Sequence, residues 1–206
     1  MKTKSILNII AAVAPALFAI PLLTGCTVVK EHVKLDAHKP SASTARVEGA
    51  SATRVKVEVP PITESAIQMF GTGIVLEQKT ILEGTTISQA LQQAFESELA
   101  ARGFVQASGG GAVRFEVGTV SFTQAPPLMF RSRKTVASLA GTLEVRKPDG
   151  TKTYTKEIQA GCVTNVFDLR AKKGFALAFG GAVDDVVTKA FSNPEFLNAI
   201  LTSSKP

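Results

Sequence analysis

Two alternating runs joined by a four-residue turn constrain this chain more than any other feature of its sequence. From about Thr135 to Arg146, Leu139, Leu143 and Val145 share one parity, with Ser138, Thr142 and Glu144 on the other. Lys147-Pro148-Asp149-Gly150 then supplies turn residues. From Thr151 to about Cys162, Tyr154, Ile158, Ala160 and Cys162 alternate with polar partners. A period of two marks a strand with one buried face, and so short a turn joins antiparallel neighbours. A third run comes first: Val113, Phe115 and Val117 share a face, but Val120 and Phe122 continue it in shifted parity across Gly118. One extra residue in the ladder, a bulge at Gly118, reconciles the two halves. The expectation is a three-stranded meander.

The flanking segments complete the fold class. Thr53 to Val59 alternates Val with polar residues until Pro60 and Pro61 stop it. Residues 62–84 are ambiguous, with Gly73-Ile74-Val75-Leu76 readable as a short strand. A helix is expected from Thr86, where Thr86-x-x-Gln89 forms a capping box, with Ile87, Leu91, Phe95 and Leu99 buried and Gly103 ending it after Arg102. Gly109-Gly110-Gly111 turns into the meander. At the end of the chain, Phe179, Val183, Val186, Val187 and Ala190 form one apolar stripe. Asn193-Pro194 then starts a short helix burying Phe196, Leu197, Ile200 and Leu201. The order β, α, β, β, β, α, α predicts an α+β two-layer sandwich, with an antiparallel sheet of about four strands and helices packed on one face.

The 206 residues suit one domain, assigned to 53–206, and 45% hydrophobic with 19% charged residues are globular proportions. A formal charge of +6 with one Tyr and no Trp argues against nucleic-acid binding, which uses a concentrated basic face with stacking aromatics.

Residues 1–25 read as an export signal: Lys2 and Lys4 precede an apolar run from Ile6 to Leu23. The run is long enough to approach a membrane span, but Pro15 and Pro21 weaken a spanning helix. It ends at Leu23-Thr24-Gly25-Cys26, which resembles the bacterial lipobox. That resemblance implies recognition of Leu23, Thr24 and Gly25 by the lipoprotein signal peptidase and a diacylglyceryl group on Cys26, the only cofactor-like group expected. Two or more acyl chains make such an anchor long-lived. Thr27 and Val28, rather than Asp, follow the Cys, which by the same resemblance implies the periplasmic face of the outer membrane. Residues 26–52 then read as the acylated Cys and a flexible tether spanning roughly 28 Å. Its His32 and His38 have no companions at metal-ligand spacing, so no metal site is expected. With Cys26 acylated, Cys162 has no disulfide partner and reads as a small buried hydrophobe.

No catalytic motif stands out. Asp184 and Asp185 are helix neighbours about 100° apart and read as a solvated face. There is no Gly-x-Ser-x-Gly elbow, Ser-x-x-Lys arrangement or phosphate loop. The chain reads as non-catalytic. Two stretches are candidate contacts. Ala125 to Lys134 sets Leu128, Met129 and Phe130 beside Arg131, Arg133 and Lys134, and Arg170, Lys172 and Lys173 precede the penultimate helix. Together they are readable as one patch for a protein partner or an anionic lipid, or as the end of the sheet and a solvated loop.

With the lipobox, the tether, Ala101-Arg102-Gly103-Phe104 closing the first helix, the hairpin strands and Lys152-Thr153-Tyr154 in the last one, residues 55 to 203 resemble the YajG-like family of Gram-negative outer-membrane lipoproteins. The resemblance carries over no catalytic residues. Here the tether is longer and the loop around Phe130 more apolar and basic. The reading is an outer-membrane-anchored lipoprotein that binds an envelope protein in an assembly or scaffold role. Its alternatives are an accessory lipoprotein in lipid or lipopolysaccharide transport, using a groove between helix and sheet, and a periplasmic hydrolase.

Overall fold

The computed structural model describes residues 31–32, 38–40, 44–71, 80–81, 84–124, 133–166 and 171–204. Its elements are β1 (Glu31–His32), β2 (Arg54–Glu58), β3 (Ile67–Gly71), β4 (Thr80–Ile81), α1 (Gly84–Ala101), β5 (Val105–Gln106), β6 (Gly111–Gln124), β7 (Arg133–Arg146), β8 (Lys152–Val166), α2 (Ala171–Phe191) and α3 (Pro194–Ser203). Single 3₁₀ turns lie at Ala50–Ala52 and Glu64–Ala66.

The expected meander is present: β6, β7 and β8 are consecutive antiparallel neighbours. Val117 pairs with Gly141 and Thr119 with Ala140, so Gly118 is the unpaired extra residue and the bulge lies where the parity change put it.

The sheet is larger than expected and mixed. It has six strands in the order β5-β2-β6-β7-β8, with β3 also on β6. β2 runs parallel to the first part of β6, from Val55↔Gly111 to Glu58↔Arg114, and β3 parallel to its last part, from Ile67↔Val120 to Gly71↔Gln124. The expected all-antiparallel sheet of about four strands is therefore corrected. The chain leaves β2, returns through α1 and enters β6 in the same direction, and a helical crossover makes parallel neighbours. The strand within the ambiguous segment is Ile67–Gly71, whereas Gly73-Ile74-Val75-Leu76 lies outside the described residues.

The helices follow their patterns, with one shifted start. α1 begins at Gly84, so Thr86 lies inside its first turn and is not the cap. Ile87, Leu91, Phe95 and Leu99 are fully buried as expected. At its end Phe104 N–H donates to Leu99 O and Gly103 N–H to Ala100 O, both at 3.0 Å, while Gly103 adopts φ 93°. This is the paired-bond glycine cap, closed by Phe104 packing into the same core as Leu99. Asn193 caps α3 by accepting from Glu195 N–H at 3.0 Å, with Pro194 at the first helical position.

Between the helices and the sheet, Phe95, Phe115, Phe122, Phe179 and Phe196 are among the largest fully buried side chains. Phe95 stacks obliquely on Phe115 at 5.7 Å and on Phe191 at 6.0 Å, and Phe122 meets Phe175 edge-on at 5.5 Å. Glu144 has the outward parity expected of it, yet it is only 5% exposed. Arg146 Nη2 donates to Glu144 Oε2 at 2.5 Å, and Lys152 holds the other carboxylate oxygen. The Lys152 hydrogen bond keeps this carboxyl below the usual carboxylate range, desolvation opposes it, and Arg146 adds to the lowering.

α2 approaches the meander closely at one residue. A Cβ on Gly181 would sit 2.8 Å from Cys162 Cβ and nearer still to its Sγ, whereas one on the adjacent Gly180 would meet nothing within 4 Å. Cys162 lies within β8 rather than at its end, and it is half-buried against the core with a free thiol. Alanine is ordinarily favoured over glycine in a helix interior by about 1 kcal/mol. Gly180→Ala should therefore raise stability by about that amount, while Gly181→Ala should lower it by about 1–3 kcal/mol through overpacking. Chemical denaturation of the two variants reads the opposite signs directly.

Candidate functional site

The structure brings the ends of the two basic stretches together. Gln124, the last residue of β6, pairs with Thr135 and with Gly71, and Arg133, the first residue of β7, pairs with Val166, the last of β8. Four strands thus finish or start side by side. α2 begins at this same end, because Gly174 O accepts from Thr164 Oγ1 at 3.4 Å and Phe175 packs on Phe122. Arg133 and Lys134 open β7, Lys172 and Lys173 lie in the first turn of α2, and Lys134 is exposed. Leu128, Met129, Phe130, Arg131 and Arg170 lie outside the described residues, as do Leu23, Thr24, Gly25 and Cys26. We call this the loop end of the domain. The 147–150 hairpin marks the opposite end.

Asp184 is exposed, as its spacing suggested, whereas Asp185 is half-buried and engaged with the β8 edge. Asp185 Oδ2 accepts from Gly161 N–H at 3.0 Å, while Lys189 Nζ donates to Gln159 O at 2.8 Å and to Asp185 at 2.8 Å. β8 is the outermost strand on its side of the sheet. One turn of α2 therefore satisfies an outward N–H and an outward C=O that a further strand would otherwise bond. The i,i+4 spacing of this pair is visible in the sequence, but its backbone targets 24 and 30 residues away are not.

Asp184 holds the segment that precedes the domain. His38 Nδ1–H donates to Asp184 Oδ1 at 2.5 Å, and Nε2 faces Glu98 Oε2 at 3.7 Å. Glu98 is itself held by Arg102 Nε at 3.0 Å and Nη2 at 2.9 Å. The imidazole is thus clasped between α1 and α2, 9% exposed. Further along, Val47 N–H donates to Arg102 O at 3.0 Å, and Ala50 is buried in the core. Earlier, β1 pairs in parallel with β4, Glu31↔Thr80 and His32↔Ile81. Within the stretch read as a tether, His38 and Val47 to Ala52 thus contact the domain. The His38 bonds join side chains and the Val47 bond joins backbone groups, both across long sequence separations, and they leave no periodic trace in the sequence.

The outward face of the sheet carries a hollow of about 330 Å³ beside the Gly118 bulge, lined by Thr119, Ser121, Ser138, Ala140, Gln159 and Lys189 among others. Lys189 is its one ionisable lining group and is already paired with Asp185. The space between helices and sheet, where a lipid groove was an alternative, is filled by the buried phenylalanines among the described residues. Among those residues no helix is long and apolar enough to cross a membrane, and no group of three or more His, Cys, Asp or Glu is placed to hold a metal ion.

No protein-family model matches the chain, and no curated protein sequence does either. In solved structures it is similar to a minor lipoprotein from Acinetobacter baumannii, at 13% identity and a TM-score of 0.43, over 71% of this chain and 92% of that one. It is also similar to a structure described as that of a neuraminyllactose-binding hemagglutinin homolog from Helicobacter pylori, at 11% identity and a TM-score of 0.45, over 82% and 97%. These are likenesses of fold alone.

The Asp185 contact generates a pH dependence. Desolvation raises this carboxyl, but the Lys189 hydrogen bond, the Gly161 N–H and the Lys189 charge together hold it below the usual carboxylate range. A lowered folded pKa stabilises the fold fully above the ordinary Asp value of about 4, and that contribution is lost as pH falls through the lower folded value. Asp185→Asn should therefore flatten the acid limb of the stability–pH curve, measured by urea unfolding between neutral and strongly acidic pH. An unchanged acid limb would show that the contact contributes nothing.

Proposed function

We propose that this chain is a non-catalytic lipoprotein, acylated at Cys26, held on the periplasmic face of the outer membrane and acting through an envelope partner bound at its loop end. The YajG-like resemblance belongs to this reading. The observation that carries it is the convergence of the two basic stretches. Arg133↔Val166 pairing sets the start of β7 beside the end of β8, so the described ends of the two basic stretches, at Arg133 and Lys134 and at Lys172 and Lys173, belong to one end of the sheet. A clustered positive field attracts anionic groups more strongly than scattered charges do.

The expected outcomes are specific. Cys26→Ser should abolish acylation, read by intact mass, and release the chain from membranes. Phe130→Ala with Arg131→Glu should leave the unfolding midpoint unchanged but reduce recovery of adducts from a photoreactive residue placed at Leu128 in cells. Undiminished adducts would remove the loop end as the contact site, and turnover of envelope substrates by the purified chain would replace the non-catalytic reading.

A further inference from the structure

The outer edge of β8 is guarded along only part of its length. Gly161 N–H and Gln159 O point away from β7, to Asp185 and Lys189 of α2. In an antiparallel strand each residue turns its N–H and C=O to one side, and successive residues alternate. The register with β7 is unbroken from Tyr154 to Val166, so Thr155, Glu157, Val163 and Asn165 turn theirs to the open edge as well. Along α2, Leu177, Gly181, Asp185 and Lys189 follow one another at a spacing of four and form one stripe. Its last two members bond the edge, whereas Gly181 has no side chain and Leu177 no polar group. Among the described residues neither Val163 nor Asn165 has a hydrogen-bond partner on that edge. The stretch nearer the hairpin carries exposed charges at Lys156 and Glu157, which discourage strand addition. Val163, Thr164 and Asn165 are uncharged, and Val163 and Leu177 are 54% and 45% exposed.

We propose that β8 from Val163 to Asn165 is a strand-addition site, and that its occupant is an extended segment of a partner protein in which apolar residues alternate with Asp or Glu. The inference deepens the loop-end reading and rests on it, since this stretch ends where Val166 pairs with Arg133. In such a complex the main chain supplies affinity and alternate side chains supply specificity. The added strand pairs with the outward N–H and C=O groups of Val163 and Asn165. Its residue beside Val163 joins the cross-strand pair of Val163 with Val136 on the outward face of the sheet. Its residue beside Thr164 falls on the helical face, the side on which Leu177 is exposed. Charge selects the rest of the segment. Lys134 lies opposite Asn165 on the same face as Val136, is exposed, and has no ion-pair partner among the described residues. Period two brings a carboxylate two positions from the apolar residue to that corner. A second copy of this chain offers Lys134 again rather than a carboxylate, and complementary charge favours the acidic partner.

Proline separates backbone pairing from side-chain contact. Val163→Pro removes an N–H that faces the open edge and leaves the β7 ladder intact, since proline is tolerated where the missing donor points to solvent. Glu157→Pro makes the same deletion on the charged stretch. The full-length chain with a photoreactive residue at Asn165 is crosslinked in intact cells, and the adducts are mapped to individual partner residues by mass spectrometry. The expected adduct lies on a segment of alternating apolar and acidic residues. Val163→Pro should reduce it about tenfold, as for one lost hydrogen bond, Leu177→Glu and Lys134→Glu should each reduce it, and Glu157→Pro should leave it unchanged. If the unfolding midpoint shows that Val163→Pro does not fold, Val163→Glu replaces it and should give the same loss. A photoreactive residue at Leu128 in the same cells separates this inference from the reading beneath it. Adducts at Leu128 without any at Asn165, or adducts at Asn165 that survive Val163→Pro, overturn strand addition and leave the loop-end partner standing. No adduct at either position overturns the loop-end reading and this inference with it. An Asn165 adduct of twice the chain mass, or one on a segment without Asp or Glu, rejects the stated occupant.

Discussion

The pairing of β6 along both of its edges is the constraint on which the rest of the structure depends. One edge carries β7 along most of its length, and the other is divided between β2 near its start and β3 near its end. Fourteen residues of strand set the height of the domain. The bulge at Gly118 lets Phe115 and Phe122 face the same helical layer despite their odd spacing. Had the register run straight through, one half of the strand would have turned its apolar residues to water. α2 then closes over the meander, and its approach is possible because Gly181 leaves room for Cys162.

This arrangement separates the polar work of the fold from its apolar core. On the outward face, Glu144 with Arg146 and Lys152, Arg114 with Glu116, and Lys56 with Glu58 pair charges across and along the strands. At the β8 edge, Asp185 and Lys189 occupy backbone groups that another chain would otherwise bond. Long alternating strands carry the risk of pairing with copies of themselves, and an inward-turned charged pair on a neighbouring helix is one way of blunting that edge.

Much of the fold was legible because local chemistry dictated it. The meander, the bulge, the glycine cap at Gly103 and the Asn193-Pro194 start each follow from residues within a few positions of one another. The parallel pairings were not legible, because they depend on where α1 returns the chain rather than on the composition of β2 or β3. Glu144 carries a charge at an outward position, and only the β7–β8 register, which brings Lys152 to it, explains its burial. The candidate site was legible as two basic stretches, but their convergence at one end required the strand register. The contacts of His38, Val47 and Ala50 were invisible, since these residues sit in a Ser-, Ala- and Thr-rich stretch with no period.

Docking of Val47 to Thr53 at the end of α1 makes that part of the chain a portion of the folded domain rather than a spacer. Hydrogen exchange of the mature chain tests this claim most directly. The amides of Val47, Ala50, Ala52 and Thr53 donate to Arg102 O, Val47 O, Gly49 O and Ala50 O respectively. If the segment is docked, Val47 and Thr53 should exchange far more slowly than an unstructured peptide of the same sequence, with protection approaching that of β2. Exchange of both at the free-peptide rate would contradict the account and restore the segment to a spacer.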